Sequence, residues 1–118
     1  ARELDSIGID YVEGGWPGAN PTDNSFFGSP PKMKRAKLVA FGMTRRAGRS
    51  ADNDPGLTAI LEPDVPCVCM VGKSWDFHVD VALEIEHEEN VRMIAESVQL
   101  ATTRKDEVMY DAEHFFDV

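Results

Sequence analysis

Apolar residues along this chain fall into short continuous runs separated by polar segments. Ile9 to Gly15 reads as a strand that enters a glycine-rich turn, and Ala36 to Met43 as a second run of strand length. Val65 to Gly72 is a third and is almost wholly apolar, while Glu107 to Ala112 forms a fourth. Runs of this kind, without strict alternation, suit a parallel sheet covered on both faces better than a one-sided antiparallel sheet.

The intervening segments carry helix signals. Arg2 to Gly8 reads as the end of a helix closed by Gly8 just past its last turn. Trp16 to Asn24 is a loop able to start a helix, with Thr22 and Asp23 as cap candidates. Gly28, Pro30 and Pro31 prevent a long helix from running through Ser25 to Arg35. A polar loop follows Thr44-Arg45-Arg46 as far as Pro55, and Gly56 to Leu61 is a short helix stopped by Pro63 and Pro66. Lys73 to His78 reads as a polar, aromatic loop. The clearest helix is Glu86 to Thr103, where Val91, Ile94, Ala95, Val98 and Ala101 recur at helical spacing. Its acidic start and the Arg104-Lys105 pair at its end complement the helix dipole. Strands alternating with helices predict right-handed crossovers, a parallel sheet and an α/β fold.

Composition narrows the class. The 118 residues are 42% hydrophobic and 28% charged, enough for a modest core in one domain. A net charge of -9 argues against a nucleic-acid partner, since phosphate binding needs clustered cations. The short basic cluster Lys32, Lys34, Arg35 and Lys37 lacks interleaved aromatics and reads as a solvated face. No run approaches the ~18 apolar residues of a membrane span, and no signal-peptide core is visible. Cys67 and Cys69 stand two apart, on one face of a strand, where an unstrained disulfide is disfavoured. They read as reduced packing residues, which predicts a cytoplasmic location.

In α/β sheets of this kind chemistry collects at the carboxyl ends of the strands. Each predicted strand ends in polar residues: Glu13-Gly14-Gly15, Thr44-Arg45-Arg46, Lys73-Ser74-Trp75-Asp76 and Asp111-Ala112-Glu113-His114. Together they can form a pocket for an anionic or carbonyl substrate. Asp111 and Glu113, two apart, project from one face and can bind metal or divide acid and base roles. Arg45 can clamp a carboxylate through two parallel hydrogen bonds, whereas Arg46 is expected to face outward. His78, His87 and His114 form no metal-binding pattern, and His87 reads as a solvated helix start. Nucleotide-binding and serine-hydrolase signatures are absent from the sequence.

Four segments resemble one family in order. Gly8-Ile9-Asp10-Tyr11-Val12-Glu13-Gly14-Gly15-Trp16-Pro17-Gly18-Ala19-Asn20-Pro21 is similar to the second-strand signature of citramalate synthases. Val39 to Arg46 resembles their third strand, Gly72 to Val79 the loop after the fourth, and Tyr110 to Asp117 the end of the fifth. The resemblance implies part of a (βα)8 TIM barrel, about strands two to five, from the α-isopropylmalate synthase-like group. It implies a divalent metal (Mg, Mn or Zn) that chelates a 2-keto acid, and acetyl-CoA as the second substrate. With pyruvate the product is (R)-citramalate, which places the enzyme in isoleucine or leucine biosynthesis. Isopropylmalate and homocitrate synthases are the neighbouring alternatives, and a non-catalytic barrel remnant acting as an interaction subunit is the alternative of another class.

Carried over by position, Glu113 takes part in catalysis and Arg45 organises the pocket. Glu13 and Asp111 approach the keto acid, and Thr44, Ser74 and His114 complete the substrate-binding set. The first-strand Arg-Asp-Gly motif and the seventh-strand His-x-His pair that supply metal ligands do not occur here, so no metal ligand is expected within this chain. Phe26 to Lys37 is shorter and richer in proline than the family's second helix, and Val118 stands where the family tends to have Gly. Four strands of a barrel leave two unpaired edges. The expectation is therefore a homo-oligomer or another chain that completes the barrel, with the segment inactive alone.

Overall fold

The computed structural model of the chain describes residues 1–117; Val118, and with it the departure noted at that position, lies outside the described residues. A first short helix, α1 (Arg2–Ser6), ends as its sequence predicts. Gly8 adopts φ +88°, a left-handed conformation that costs a glycine little. Its N–H reaches the Asp5 carbonyl at 3.2 Å, and the Ile9 N–H reaches the Leu4 carbonyl at 3.2 Å.

Four strands follow, β1 (Tyr11–Gly15), β2 (Lys37–Met43), β3 (Cys67–Lys73) and β4 (Glu107–Glu113). They form one sheet in the order β1-β2-β3-β4, every neighbour parallel. The helices between them are α2 (Pro21–Gly28), α3 (Pro55–Leu61) and α4 (His87–Thr102).

Local chemistry fixes the helix starts. Asn20, not the Thr22-Asp23 pair, caps α2: its side-chain oxygen accepts the Asp23 N–H at 2.9 Å, and Pro21 occupies the first helical position. The same device opens α3, where Asp54 accepts the Leu57 N–H at 2.9 Å ahead of Pro55. In both, a short acceptor side chain satisfies an orphan donor and proline sits where no N–H is needed.

Two expectations are corrected here. The stretch after Lys73 contains a π-helix, His78–Leu83, and not only a loop. Residues that alternate in type without a 3.6-residue period gave no sign of it. The buried stripe of α4 is Asn90, Met93, Ser97 and Ala101, whereas Val91 is 63% exposed. Polar Asn90 and Ser97 go inside because each has a partner there: Asn90 Nδ2 donates to the Lys73 carbonyl at 2.9 Å, and the Ser97 hydroxyl to the Met93 carbonyl at 2.6 Å.

Side chains alternate across the strands, so register assigns each to a face. Val12, Leu38, Ala40, Val68 and Met70 pack with Phe27, Leu57, Ile60, Leu61 and Ala101 from the three helices. The opposite face carries the rows Phe41–Cys69–Met109, Met43–Val71–Asp111 and Lys73–Glu113, with Glu13 beside Val39. Within this chain one face of the sheet is therefore covered and the other open. Sequential strand order with helices on a single face is the winding of a (βα)8 barrel; a doubly wound sheet reverses its order and covers both faces.

At the amino ends of the strands a polar bar lies across the open face. The Tyr11 hydroxyl donates to Glu107 at 2.7 Å, and the Lys37 ammonium pairs with the same carboxylate. Val39 and Cys67 beneath it are buried, at 2% and 0% exposure.

Candidate active site

The carboxyl ends of β3 and β4 hold the first group of predicted residues. Register sets Lys73 opposite Glu113, and their side chains form an ion pair. The Lys73 hydrogen bond holds the Glu113 carboxyl below its usual range, with further help from the Lys73 charge and from His114 and His78. At neutral pH Glu113 is thus an anion with a fixed partner.

His114 follows at φ +59°, an unusual conformation for a residue with a Cβ. Its Nδ1 lies 2.7 Å from Asp117, and its ring meets His78 edge-on with centroids 4.8 Å apart. The Trp75 ring is tilted against both, with centroids 4.8 Å from His78 and 5.7 Å from His114. The Nδ1 atom of His78 is buried in this aromatic nest and finds no hydrogen-bond partner among the described residues. Ser74 turns to the other side, where its hydroxyl lies 3.4 Å from that of Tyr110.

Glu13 and Asp111 form a second group on the open face, around Cys69. Burial pushes the Cys69 thiol up to about 11, and the negative charges of Glu13 and Asp111 add to the shift. Asp111 and Glu113 occupy alternate positions of β4 and share this face, as their spacing predicts. Both cysteines are free thiols.

Thr44 and Arg45 are not brought to these groups. Thr44 is buried at the end of β2, its N–H on the Val71 carbonyl at 3.3 Å. Arg45 is 3% exposed, and its guanidinium is held by two carboxylates of α4, Glu89 at 2.8 Å and Glu96 at 2.6 Å. Burial alone would lower the Arg45 pKa; the two carboxylates outweigh it and leave it raised. Glu89, bonded to Arg45 and also to Arg92, falls to about 2. The guanidinium thus holds one oxygen of each of two carboxylates of this chain, and not a single carboxylate through two parallel bonds. Arg46, by contrast, is exposed, as expected.

The pairing of Lys73 with Glu113, the acidic setting of Cys69 and the clasp by Glu89 and Glu96 escaped sequence reasoning. Register would have revealed the first, because parallel pairing of β3 with β4 aligns Lys73 with Glu113. Nothing local pairs Arg45 with residues more than forty positions away. Among the described residues no three His, Cys, Asp or Glu side chains converge to hold a metal ion. Nor is any helix there long and apolar enough to cross a membrane.

No family model matches the chain. Individual proteins do. The (R)-citramalate synthase of Aquifex aeolicus is 50% identical over 119 residues, 99% of this chain and 22% of that protein. The (R)-citramalate synthase of Geobacter sulfurreducens is 49% identical over 120 residues, again 99% of this chain and 22% of the relative. That of Sulfolobus acidocaldarius is 44% identical over 115 residues, 96% of this chain and 22% of the relative. The chain spans about a fifth of the length of the curated relatives it matches.

Proposed function

We infer, from a chain that belongs to the (R)-citramalate synthase family, that it supplies part of the rim of an active site joining acetyl-CoA to pyruvate. The observation that carries this reading is the placement of Glu13, Asp111 and Glu113 on one open face, within a segment that is 50% identical to a synthase over 99% of its length. In the reaction a methyl proton leaves the acetyl group and the resulting carbanion attacks the keto carbon of pyruvate. A C–C bond forms, the new alkoxide takes a proton, and water then cleaves the thioester to free CoA and (R)-citramalate.

Glu113 is the residue of this chain that touches the reacting atoms. Lys73 keeps it ionised and directed, ready to accept a hydrogen bond or a proton at the rim. Asp111 and Glu13 shape the keto-acid side, and His114 stands next to Glu113 as a donor, while Ser74, turned toward Tyr110, steadies the rim from the other side of the sheet. Thr44 and Arg45 act at a distance: the Arg45 clasp fixes the loop after β2 against α4 and so holds the rim in place. Arg45 is on this reading a positioning residue. The divalent metal of the complete enzyme would draw its ligands from outside this segment and would polarise the keto group. The remaining strands come from the rest of the protein or from a partner, and the free thiols suit the reducing cytoplasm.

The test is a chimera in which this chain replaces the matching segment of the Aquifex aeolicus synthase, assayed for pyruvate-dependent CoA release. We expect turnover, and a loss of about 10²–10⁴-fold for Glu113→Gln, the usual range for removing an acid–base group. The chain alone is expected to release no CoA. A folded chimera without pyruvate-dependent release, or an active Glu113→Gln variant, refutes the assignment. Preference for a branched keto acid would move it to the isopropylmalate synthases.

A further inference from the structure

A cavity of about 370 Å³ lies at the ends of β2 and β3, roofed by the segment that leads into α4. Met43, Leu83, Ile85 and Met93 give it an apolar body. Three cations, Arg45, Arg46 and Lys73, line it against a single carboxylate, Asp54. That is the reverse of the balance in a chain of net charge -9.

The polar groups of the wall are not equally available. Arg45 is engaged by Glu89 and Glu96, and Lys73 by Glu113. Asp54 accepts the backbone N–H groups of Arg46 and Leu57, both at 2.9 Å, so its charge is tied down. Asn90 donates to the Lys73 carbonyl. Arg46 is different: it is exposed, and among the described residues its guanidinium forms no ion pair. A cavity near the lower end of the ~300–1,000 Å³ range of ligand sites holds a body of a few carbons and not a large cofactor.

We propose that this cavity binds a short-chain aliphatic carboxylate, its hydrocarbon among Met43, Leu83, Ile85 and Met93 and its carboxylate on the Arg46 guanidinium. A planar guanidinium at the mouth of an apolar cavity suits a carboxylate, which it can grip with two parallel bonds. Binding requires no acyl transfer, so the proposal stands apart from the condensing activity.

Methionine methyls report on it directly. Of the five methionines, Met43 and Met93 line the cavity, leaving Met33, Met70 and Met109 as controls. Hexanoate titrated into the 13C-methyl-methionine chain should shift Met43 and Met93 saturably and leave the other three in place. Arg46→Met, at an exposed position, should weaken binding about tenfold, the loss of one charge-assisted contact. Hexylammonium and pyruvate, which lack the charge or the tail, should not compete. The proposal falls if Met43 and Met93 stay still, if hexylammonium or pyruvate acts equally, or if Arg46→Met binds hexanoate unchanged. It falls equally if all five methyls move together.

Discussion

The Ser97 hydroxyl accepts the backbone N–H of Arg45 at 2.9 Å while donating its own proton to the Met93 carbonyl one turn back along α4. This one atom joins the loop after β2 to a helix over fifty residues later, at a site with no solvent exposure. The Arg45 guanidinium then reaches past it to Glu89 and Glu96.

Replacing Ser97 by Ala leaves the Arg45 N–H without an acceptor. A buried donor stripped of its partner costs about 1–3 kcal/mol, offset by about 0.5 kcal/mol from better helix propensity. Urea unfolding should show a lower midpoint at unchanged m-value. Unaltered stability would mean that the bond contributes nothing net.

Acid sensitivity should arise at the other end of the molecule. Asp5 accepts the backbone N–H groups of Lys34 at 2.7 Å, Arg35 at 2.9 Å and Ala36 at 2.7 Å, and these bonds, Ala36 first, lower its pKa. A carboxyl depressed by folding stabilises above its unfolded pKa of about 3.9, and that contribution disappears as pH falls through the lower folded value. Asp5→Asn should unfold more readily at pH 7 and lose less stability than the parent between pH 5 and pH 2. Parallel pH profiles for the two proteins would remove Asp5 from the acid transition.

Cys69 should be a sluggish nucleophile. With its thiol near 11 in place of about 8.5, the thiolate fraction at pH 8 falls by roughly two orders of magnitude. A disulfide reagent should modify Cys69 correspondingly slowly in the folded chain. Glu13→Gln and Asp111→Asn should each speed the reaction, because each removes a negative charge that opposes ionisation. Equal rates in all three proteins would place the carboxylates away from the sulfur.

Gly72 makes room on β3 for a side chain of the neighbouring strand. A Cβ there would lie 2.6 Å from the Tyr110 hydroxyl and 2.8 Å from its ring. Gly72→Ala should destabilise by about 1–3 kcal/mol through overpacking and displace the Tyr110–Ser74 contact. Tyr110, whose pKa burial raises, should then titrate closer to an ordinary tyrosine. Spectrophotometric titration of the variant reads both effects.

The strands were legible because their runs are apolar where they meet the helices, and because Gly and Pro mark their limits. Helix starts were legible as types and not as positions: Asn20 performs the capping that Thr22 and Asp23 also offered. The face of α4 was misjudged at Val91, since hydrophobicity says nothing of whether Asn90 and Ser97 will find acceptors inside. The candidate site divided in the same way. Asp111 and Glu113 share a face by strand geometry alone, whereas the surroundings of Arg45 depend on contacts that spacing does not encode.

With Tyr11, Lys37 and Glu107 tied together at the amino ends of the strands, β1, β2 and β4 are braced there by side chains as well as by the ladder. Glu13, Cys69 and Asp111 stand further along the same open face, and Glu113 at its far end. Brace and rim are thus built from different residues of the same four strands. Substitutions in the brace are therefore expected to retune thermal robustness while the carboxyl end keeps its arrangement.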